Sequence, residues 1–386
     1  MIVSTQNSDI FGFYTVDDLK FYSKFDAIEF ATKFDKNIKW NFNDNIFTKI
    51  DWTIEPTESL SELYRQRAQQ LRDSYDYLIL WYSAGSDCDN ILNTFVDNNI
   101  QLDEVASLVN YEATGDKNDW LNGEIYNLAI PKINIIRETT QPWIKHTIID
   151  ICQHIMNFFN SQKNSADWIY NNNLYLGPNS IAKSTVVSSQ PQWLDLINSG
   201  KRVAFIWGLE KPKIVNINGS YNLIFKDLIE NAVTAFRQIN PMPGQFDELF
   251  YWSPDSGKLL AKQAHTIKQF FKTVDGSSSY LSQHANSRDS CTVINGKPVW
   301  LTRAGTNMLL YPNWFQQPYQ VKPASLIFSP RDQWFFDLPD SDLAKINWQQ
   351  GIKYKWQQIP ESLRVNRGVL SKGFHLSTSI SYNLGS

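Results

Sequence analysis

Cysteine is scarce in this chain of 386 residues. Cys88, Cys152 and Cys291 form neither a spaced framework nor a metal-ligand pattern. That excludes a disulfide-stapled scaffold and suggests a reducing compartment. No apolar run approaches the roughly 20 residues that cross a bilayer. Met1–Gln6 lacks the features of a secretion signal. A soluble, cytoplasmic protein with no membrane partner is expected. An excess of one charge is missing too: 36 basic and 39 acidic side chains leave −3. This argues against a broad electrostatic grip on duplex nucleic acid, although a local basic patch is allowed. No internal repeat or low-complexity tract interrupts the chain, and Asn218-Gly219-Ser220 reads only as a turn. What is abundant is apolar: 42% hydrophobic and 14% aromatic residues, with 14 Trp. That supports a sizeable core and supplies rings on which bases or sugars can stack.

The chain is organised around Tyr77–Phe95. Tyr77–Tyr82 is a short, nearly all-apolar run, the pattern of a parallel strand covered on both faces. Ser83-Ala84-Gly85-Ser86-Asp87 stops it with small side chains, and Ile91, Leu92 and Phe95 then recur at helical spacing. A helix start presents unpaired N–H groups and partial positive charge, which suit a phosphate. Small residues let the backbone come close, and Ser83 and Ser86 add hydroxyls. Asp87 is out of place in a bare anion site, so it favours phosphate together with Mg2+. Ala84 suits the turn only if φ stays negative there.

Ser83-Ala84-Gly85-Ser86-Asp87-Cys88 resembles the S-G-G-x-D-S loop of the PP-loop ATP pyrophosphatases, with Ala84 and Cys88 as departures. The resemblance implies an α/β fold of the HUP type, a parallel sheet flanked by helices. It implies ATP and Mg2+ as cofactors, and cleavage between the α and β phosphates. A carbonyl or carboxylate of an acceptor would be adenylated, and a nitrogen nucleophile would then displace AMP. It places Ser83, Ala84, Gly85, Ser86, Asp87 and Cys88 at the phosphates, and Asn110 and Tyr111 beside adenine and ribose. Asparagine synthetases of this family begin with a glutaminase whose Cys follows the initiator Met. Here that position is Ile2, so no glutaminase is expected. Along its length, including Phe250–Pro254, the chain also resembles PP-loop proteins encoded by bacteriophages. Neither resemblance names an acceptor, which is a small molecule or a nucleic acid. Two alternatives stand beside the ligase: a nucleotide- or nucleic-acid-modifying enzyme, and an ATP-binding module without turnover.

Three regions follow from the pattern. Residues 1–56 read as a small α+β cap or dimerisation piece, with strands at Ile10–Val16 and Ile38–Phe42 and a helix over Lys24–Phe34. A homo-oligomer would be compatible with it. Residues 57–240 read as the nucleotide-binding domain. It opens with a helix over Thr57–Tyr75, capped by Ser59 and Glu62. A second strand covers Glu104–Tyr111, a helix Asn122–Ile130, a third strand Ile133–Ile136, and an apolar helix Ile144–Asn160. His146 and His154 are expected to be packed rather than ligating. Val203–Trp207 is a further strand. It ends at Gly208 and Lys211, with Glu210 between them as a second Mg2+ ligand and Lys211 as the neutraliser of pyrophosphate charge. A helix is expected over Phe225–Gln238. Residues 241–386 read as a helical and irregular, aromatic-rich region. It contains an aromatic turn at Phe246–Pro254 and a helix over Lys258–Lys272. The outer face of that helix (Lys258, Lys262, His265, Lys268, Lys272) is solvated or meets an anion. Arg303, Arg331, Arg364 and Arg367 are candidates for holding an anionic substrate, with nothing to rank them.

Overall fold

Five strands set the frame. Tyr77–Trp81 (β1), Val203–Trp207 (β4) and Gln245–Leu249 (β5) are buried at every position. Glu104–Val109 (β2) is buried at five of its six. Lys145–Asp150 (β3) is mostly accessible, as an edge strand can be. The computed structural model describes residues 5–119, 121–162, 168, 177–209, 211–227, 241–283, 290–315, 332–358 and 378–386. Among these, the strands form a parallel sheet in the order β5-β4-β1-β2-β3. Ile79 pairs with Glu104 on one side and Phe205 on the other. Phe205 in turn pairs with Asp247. The order reverses between β1 and β4. In open α/β sheets of this Rossmann-like kind, ligands bind outside the carboxyl ends of the strands at such a reversal.

Helices cover the sheet. Leu60–Ser74 (α1) starts as its sequence requires, with the Ser59 hydroxyl accepting the Glu62 N–H at 3.2 Å. Leu63, Tyr64, Ala68 and Leu71 are its buried stripe. Ser86–Asp97 (α2) buries Ile91, Leu92 and Phe95 completely. Ile130–Thr139 (α3) continues a π-helical turn over Ile125–Ala129. The strand expected at Ile133–Ile136 is therefore a helix. Ile133 and Ile136 are buried while Ile135 is 60% exposed, which is a helical and not an alternating pattern. The helix expected over Ile144–Asn160 divides into strand β3 and Cys152–Ser161 (α4). The β-branched run Thr147-Ile148-Ile149 pairs along β2, and the helix begins only after Asp150. Pro178–Thr185 (α5) and Pro191–Asn198 (α6) lead into β4.

The expected aromatic turn at Phe246–Pro254 is instead strand β5 followed by Phe250-Tyr251-Trp252, all three fully buried. The fifth strand thus lies beyond residue 240, and a boundary there cuts the sheet. A second sheet, of mixed direction, draws strands from both sides of that boundary. Its order is Leu281–Ser282, Lys297–Leu301, Cys291–Ile294, Lys213–Ile217, Ser220–Ile224, Tyr382–Asn383. The hairpin Lys213–Ile224 turns on Asn218 (φ 50°) and Gly219 (φ 87°), both left-handed as a tight hairpin needs. Of the helix expected over Phe225–Gln238, residues 228–238 lie outside the described residues. Phe225 itself follows a strand.

The cap expected at residues 1–56 shares this core. Its Phe42 and Phe47 rings sit 4.8 and 5.1 Å from Phe225, and Phe42 lies 5.4 Å from Trp252. On Gly257–Thr273 (α7) the expected basic face is partly taken up, with Lys272 and much of Lys258 left exposed. Lys258 pairs with Glu58 and Lys262 with Glu55, at 2.6 and 2.7 Å. His265 and Lys268 are buried, the latter donating to the Leu384 carbonyl at 2.6 Å. No helix among the described residues is long and apolar enough to cross a membrane.

Candidate functional site

β1 delivers the chain to the carboxyl rim at Trp81, and Arg303–Leu310 (α8) of the C-terminal region lies across that rim. Between them is a cleft of about 600 Å3. Ser83, Gly85, Ser86, Asp87 and Cys88 form one wall. Trp81, Ala106, Leu108, Trp207 and Gly208 line it from the strand ends, and Arg303, Asn307 and Trp314 from the C-terminal region. Lys183 of α5 and the buried Glu124 also line it.

The turn is made by unusual backbone. Ala84 adopts φ 57° and is 1% exposed, so the turn does need the left-handed region that suits glycine. The condition on which Ala84 would suit the turn is not met. Gly85 is the N-cap of α2. The first bond of the helix runs from the Asp89 N–H to the Gly85 carbonyl at 2.9 Å. The amides of Ser86, Asp87 and Cys88 therefore have no carbonyl of their own helix to meet. Gly208 lies directly against the backbone of Asp87 and Cys88. A β-carbon there would stand 3.0 Å from the Cys88 nitrogen and 3.2 Å from the Asp87 carbonyl carbon.

Cys88 braces the turn. Its Sγ accepts the Ser83 N–H at 3.3 Å and donates to the Gly85 carbonyl at 3.1 Å. Burial pushes its thiol up to about 12. Asp87 is held from several directions. Its Oδ1 meets Lys211 Nζ at 2.6 Å and the Tyr311 hydroxyl, while Tyr251 donates to its carbonyl at 2.8 Å. Burial pushes the Asp87 carboxyl up, but Lys211, Tyr311 and Arg303 outweigh it and the net shift is downward. Trp314 Nε1 donates to Ser86 Oγ at 3.1 Å.

The expected site residues separate into groups. Ser83, Gly85, Ser86, Asp87, Cys88 and Gly208 meet at the cleft. Ala84 is buried beneath it. Lys211 is tied to Asp87 instead of facing a ligand alone. Asn110 and Tyr111 do not line the cleft. The Asn110 N–H is taken by Asn122 Oδ1 at 2.9 Å, and its Nδ2 lies 3.6 Å from Cys152 Sγ. Tyr111 starts a helical turn and packs near Tyr126. That turn carries both away, and Ala106 and Leu108 represent β2 at the cleft. Glu210, Arg331, Arg364 and Arg367 lie outside the described residues. His146 contacts Ser107 Oγ at 2.9 Å and His154 contacts Thr185 Oγ1 at 2.8 Å, so both are packed.

Sequence reading gave no weight to Thr302–Trp314 beyond Arg303, nor to Lys183 or Glu124. The available signal was a capping Thr302, which accepts the Gly305 N–H at 3.1 Å, followed by polar residues spaced four apart.

Among the described residues, no group of three or more His, Cys, Asp or Glu side chains gathers to hold a metal ion. Asp87 nevertheless suits an ion carried in by a nucleotide. Both of its bonds end on Oδ1, and its side chain is 33% exposed. Mg2+ commonly takes one or two carboxylates plus substrate phosphates. Comparison with protein-family models, curated proteins and solved structures returns no match.

Proposed function

We propose that this chain is an ATP pyrophosphatase of the PP-loop, HUP type. It would bind ATP in the cleft, adenylate a carbonyl or carboxylate of an acceptor, and release pyrophosphate. One observation carries the reading. The open amides of Ser86, Asp87 and Cys88 lie where the strand order reverses, against a glycine, in a cleft that Arg303 and Lys183 also line. Bare amides and cations together suit a polyphosphate.

In this reading the loop amides and the Ser83 hydroxyl hold the phosphates. An acceptor oxygen attacks the α-phosphorus, and the bond to the bridging oxygen of the β-phosphate breaks with its electron pair leaving on pyrophosphate. A nitrogen nucleophile then forms the C–N bond as AMP departs. Ammonia is the simplest nucleophile for that step. Catalysis rests on positioning and on fixed charge. Mg2+ bound with the nucleotide would add charge neutralisation, with Asp87 Oδ2 as its protein contact. Trp81 and Trp207 give the cleft an aromatic side on which a base or a planar acceptor can lie.

A second reading, ATP binding without turnover, is favoured by Cys88. Its sulfur occupies the Ser83 N–H, an amide that would otherwise be open to a phosphate. The test has two stages. Calorimetry with the α,β-methylene analogue of ATP and Mg2+ measures binding. Pyrophosphate release from ATP is then followed across a panel of carboxylic acids and amides, with ammonium present. Binding with acceptor-dependent release supports the ligase, and binding with no release supports the second reading. No binding at millimolar analogue refutes both.

A further inference from the structure

Arg303, Asn307 and Tyr311 are spaced four apart along α8 and its C-cap, so they share one face. The Tyr311 hydroxyl on Asp87 fixes where that face points, namely at the first turn of α2. Arg303 belongs to the same surroundings, since its charge helps to hold the Asp87 carboxyl low. Asn307 lies between them, lines the cleft, and is only 4% exposed. Its Oδ1 is buried and has no hydrogen-bond partner. Leaving such a group unsatisfied costs about 1–3 kcal/mol, and a phosphate oxygen, itself an acceptor, relieves it only once the amide has turned. Half a turn about χ2 exchanges its oxygen and its NH2, so the same end can offer an acceptor or a donor.

We propose that Arg303 and Asn307 form a clamp on the terminal phosphates of a bound nucleoside triphosphate, opposite the Ser83–Cys88 loop. The proposal rests on the nucleotide reading of the cleft. Lys211, expected to neutralise the leaving pyrophosphate, is already paired with Asp87. Arg303 lines the cleft, acts on the same carboxylate, and carries a planar fork suited to two phosphate oxygens. Asn307 would turn its NH2 to a third. The clamp would make the site select for phosphate number and hold pyrophosphate as it leaves.

The experiment compares the α,β-methylene analogue of ATP with AMP, each with Mg2+, by calorimetry. Arg303→Gln should lower affinity for the analogue about 30-fold, as expected for a lost charge-assisted contact, and leave AMP within about twofold. Arg303→Lys keeps the charge and loses the fork, so its deficit should be smaller, about fivefold. Asn307→Leu should cost the analogue about fivefold, again sparing AMP. Unchanged AMP affinity also shows that each variant is folded at the site. Full preference for the analogue in Arg303→Gln and Asn307→Leu overturns the clamp. Equal loss of AMP overturns it too, because the arm would then support the whole site. If neither ligand binds the wild-type chain at millimolar concentration, the nucleotide reading itself has failed.

Discussion

The Asp87–Lys211 pair gives the sharpest energetic test. Lys211 is buried, with 8% of its side chain exposed, and Asp87 is 33% exposed. Asp87→Asn keeps the shape and removes the negative charge, leaving an ammonium in the core with Arg303 nearby. Breaking a fully buried pair costs about 3–5 kcal/mol. Solvent reaches the Asp87 side, so the expected loss is nearer ~2 kcal/mol. The pH dependence has a definite sign. The folded Asp87 carboxyl lies below its ordinary value of 3.8. Its stabilising contribution is therefore fully present above the unfolded value and is lost as pH falls through the lower folded one. The gap between wild type and Asp87→Asn should hold steady from about pH 7 to pH 5 and narrow below about pH 4. Lys211→Met added to Asp87→Asn should recover part of the loss, because no charge is then stranded. Chemical denaturation followed by tryptophan fluorescence at several pH values measures all three. Equal stability of Asp87→Asn and wild type at pH 7, or a gap unchanged at pH 3, would refute the reasoning.

Three further outcomes follow from the same turn. Gly208→Ala places a β-carbon 3.0 Å from the Cys88 nitrogen, against backbone that has no rotamer with which to yield. It should cost about 1–3 kcal/mol in a thermal melt and at least about tenfold in affinity for the ATP analogue. Ala84→Gly should be nearly neutral, within about 1 kcal/mol. Relief of about 1–2 kcal/mol of left-handed strain is offset by about 0.5–1 for glycine's unfolded entropy and about 0.8 for the buried methyl. Ala84→Val, with a β-branched side chain at φ 57° and 1% exposure, should instead lose at least about 2 kcal/mol in the same melt, and equal melting of the two variants would sink the argument. With its thiol near 12, Cys88 is thiolate to about one part in ten thousand at pH 8, so iodoacetamide should label it only after denaturation, as read by peptide mass.

The sequence is most legible where burial and period agree. Val203–Trp207 and Lys24–Phe34 have the bounds that their residues suggest, and Tyr77–Tyr82 extends one residue past its strand. The loop itself is readable because small residues between an apolar run and a helical stripe admit few structures. Period fails where short apolar runs suit either state. Ile133–Ile136 is helical and His146–Ile149 extended, and only their neighbours in the sheet decide. At Asn218-Gly219 the turn is readable from its residues, but the strands on either side carry polar positions and the hairpin is not. The basic stripe of α7 is legible only in part, because Glu55, Glu58 and the Leu384 carbonyl, which pair Lys258 and Lys262 and cover Lys268, are distant in sequence. Arg303 could not be ranked above the other arginines for a similar reason. Its place depends on α8 crossing a rim built some 200 residues earlier.

That distance bears on what kind of site this is. Three side chains from outside the strand–turn–helix end on its first helical turn: Trp314 on Ser86, Tyr311 on the Asp87 carboxylate, and Tyr251 on the Asp87 carbonyl. Lys211 adds a fourth. None of these contacts is available to Tyr77–Phe95 alone. The left-handed Ala84, which costs about 1–2 kcal/mol, is held by this surrounding structure and by the two bonds of Cys88 Sγ. The turn is therefore a product of the whole chain. Its strain, its orphan amides and the lone Asn307 oxygen stand together on the one rim where β1 and β4 part.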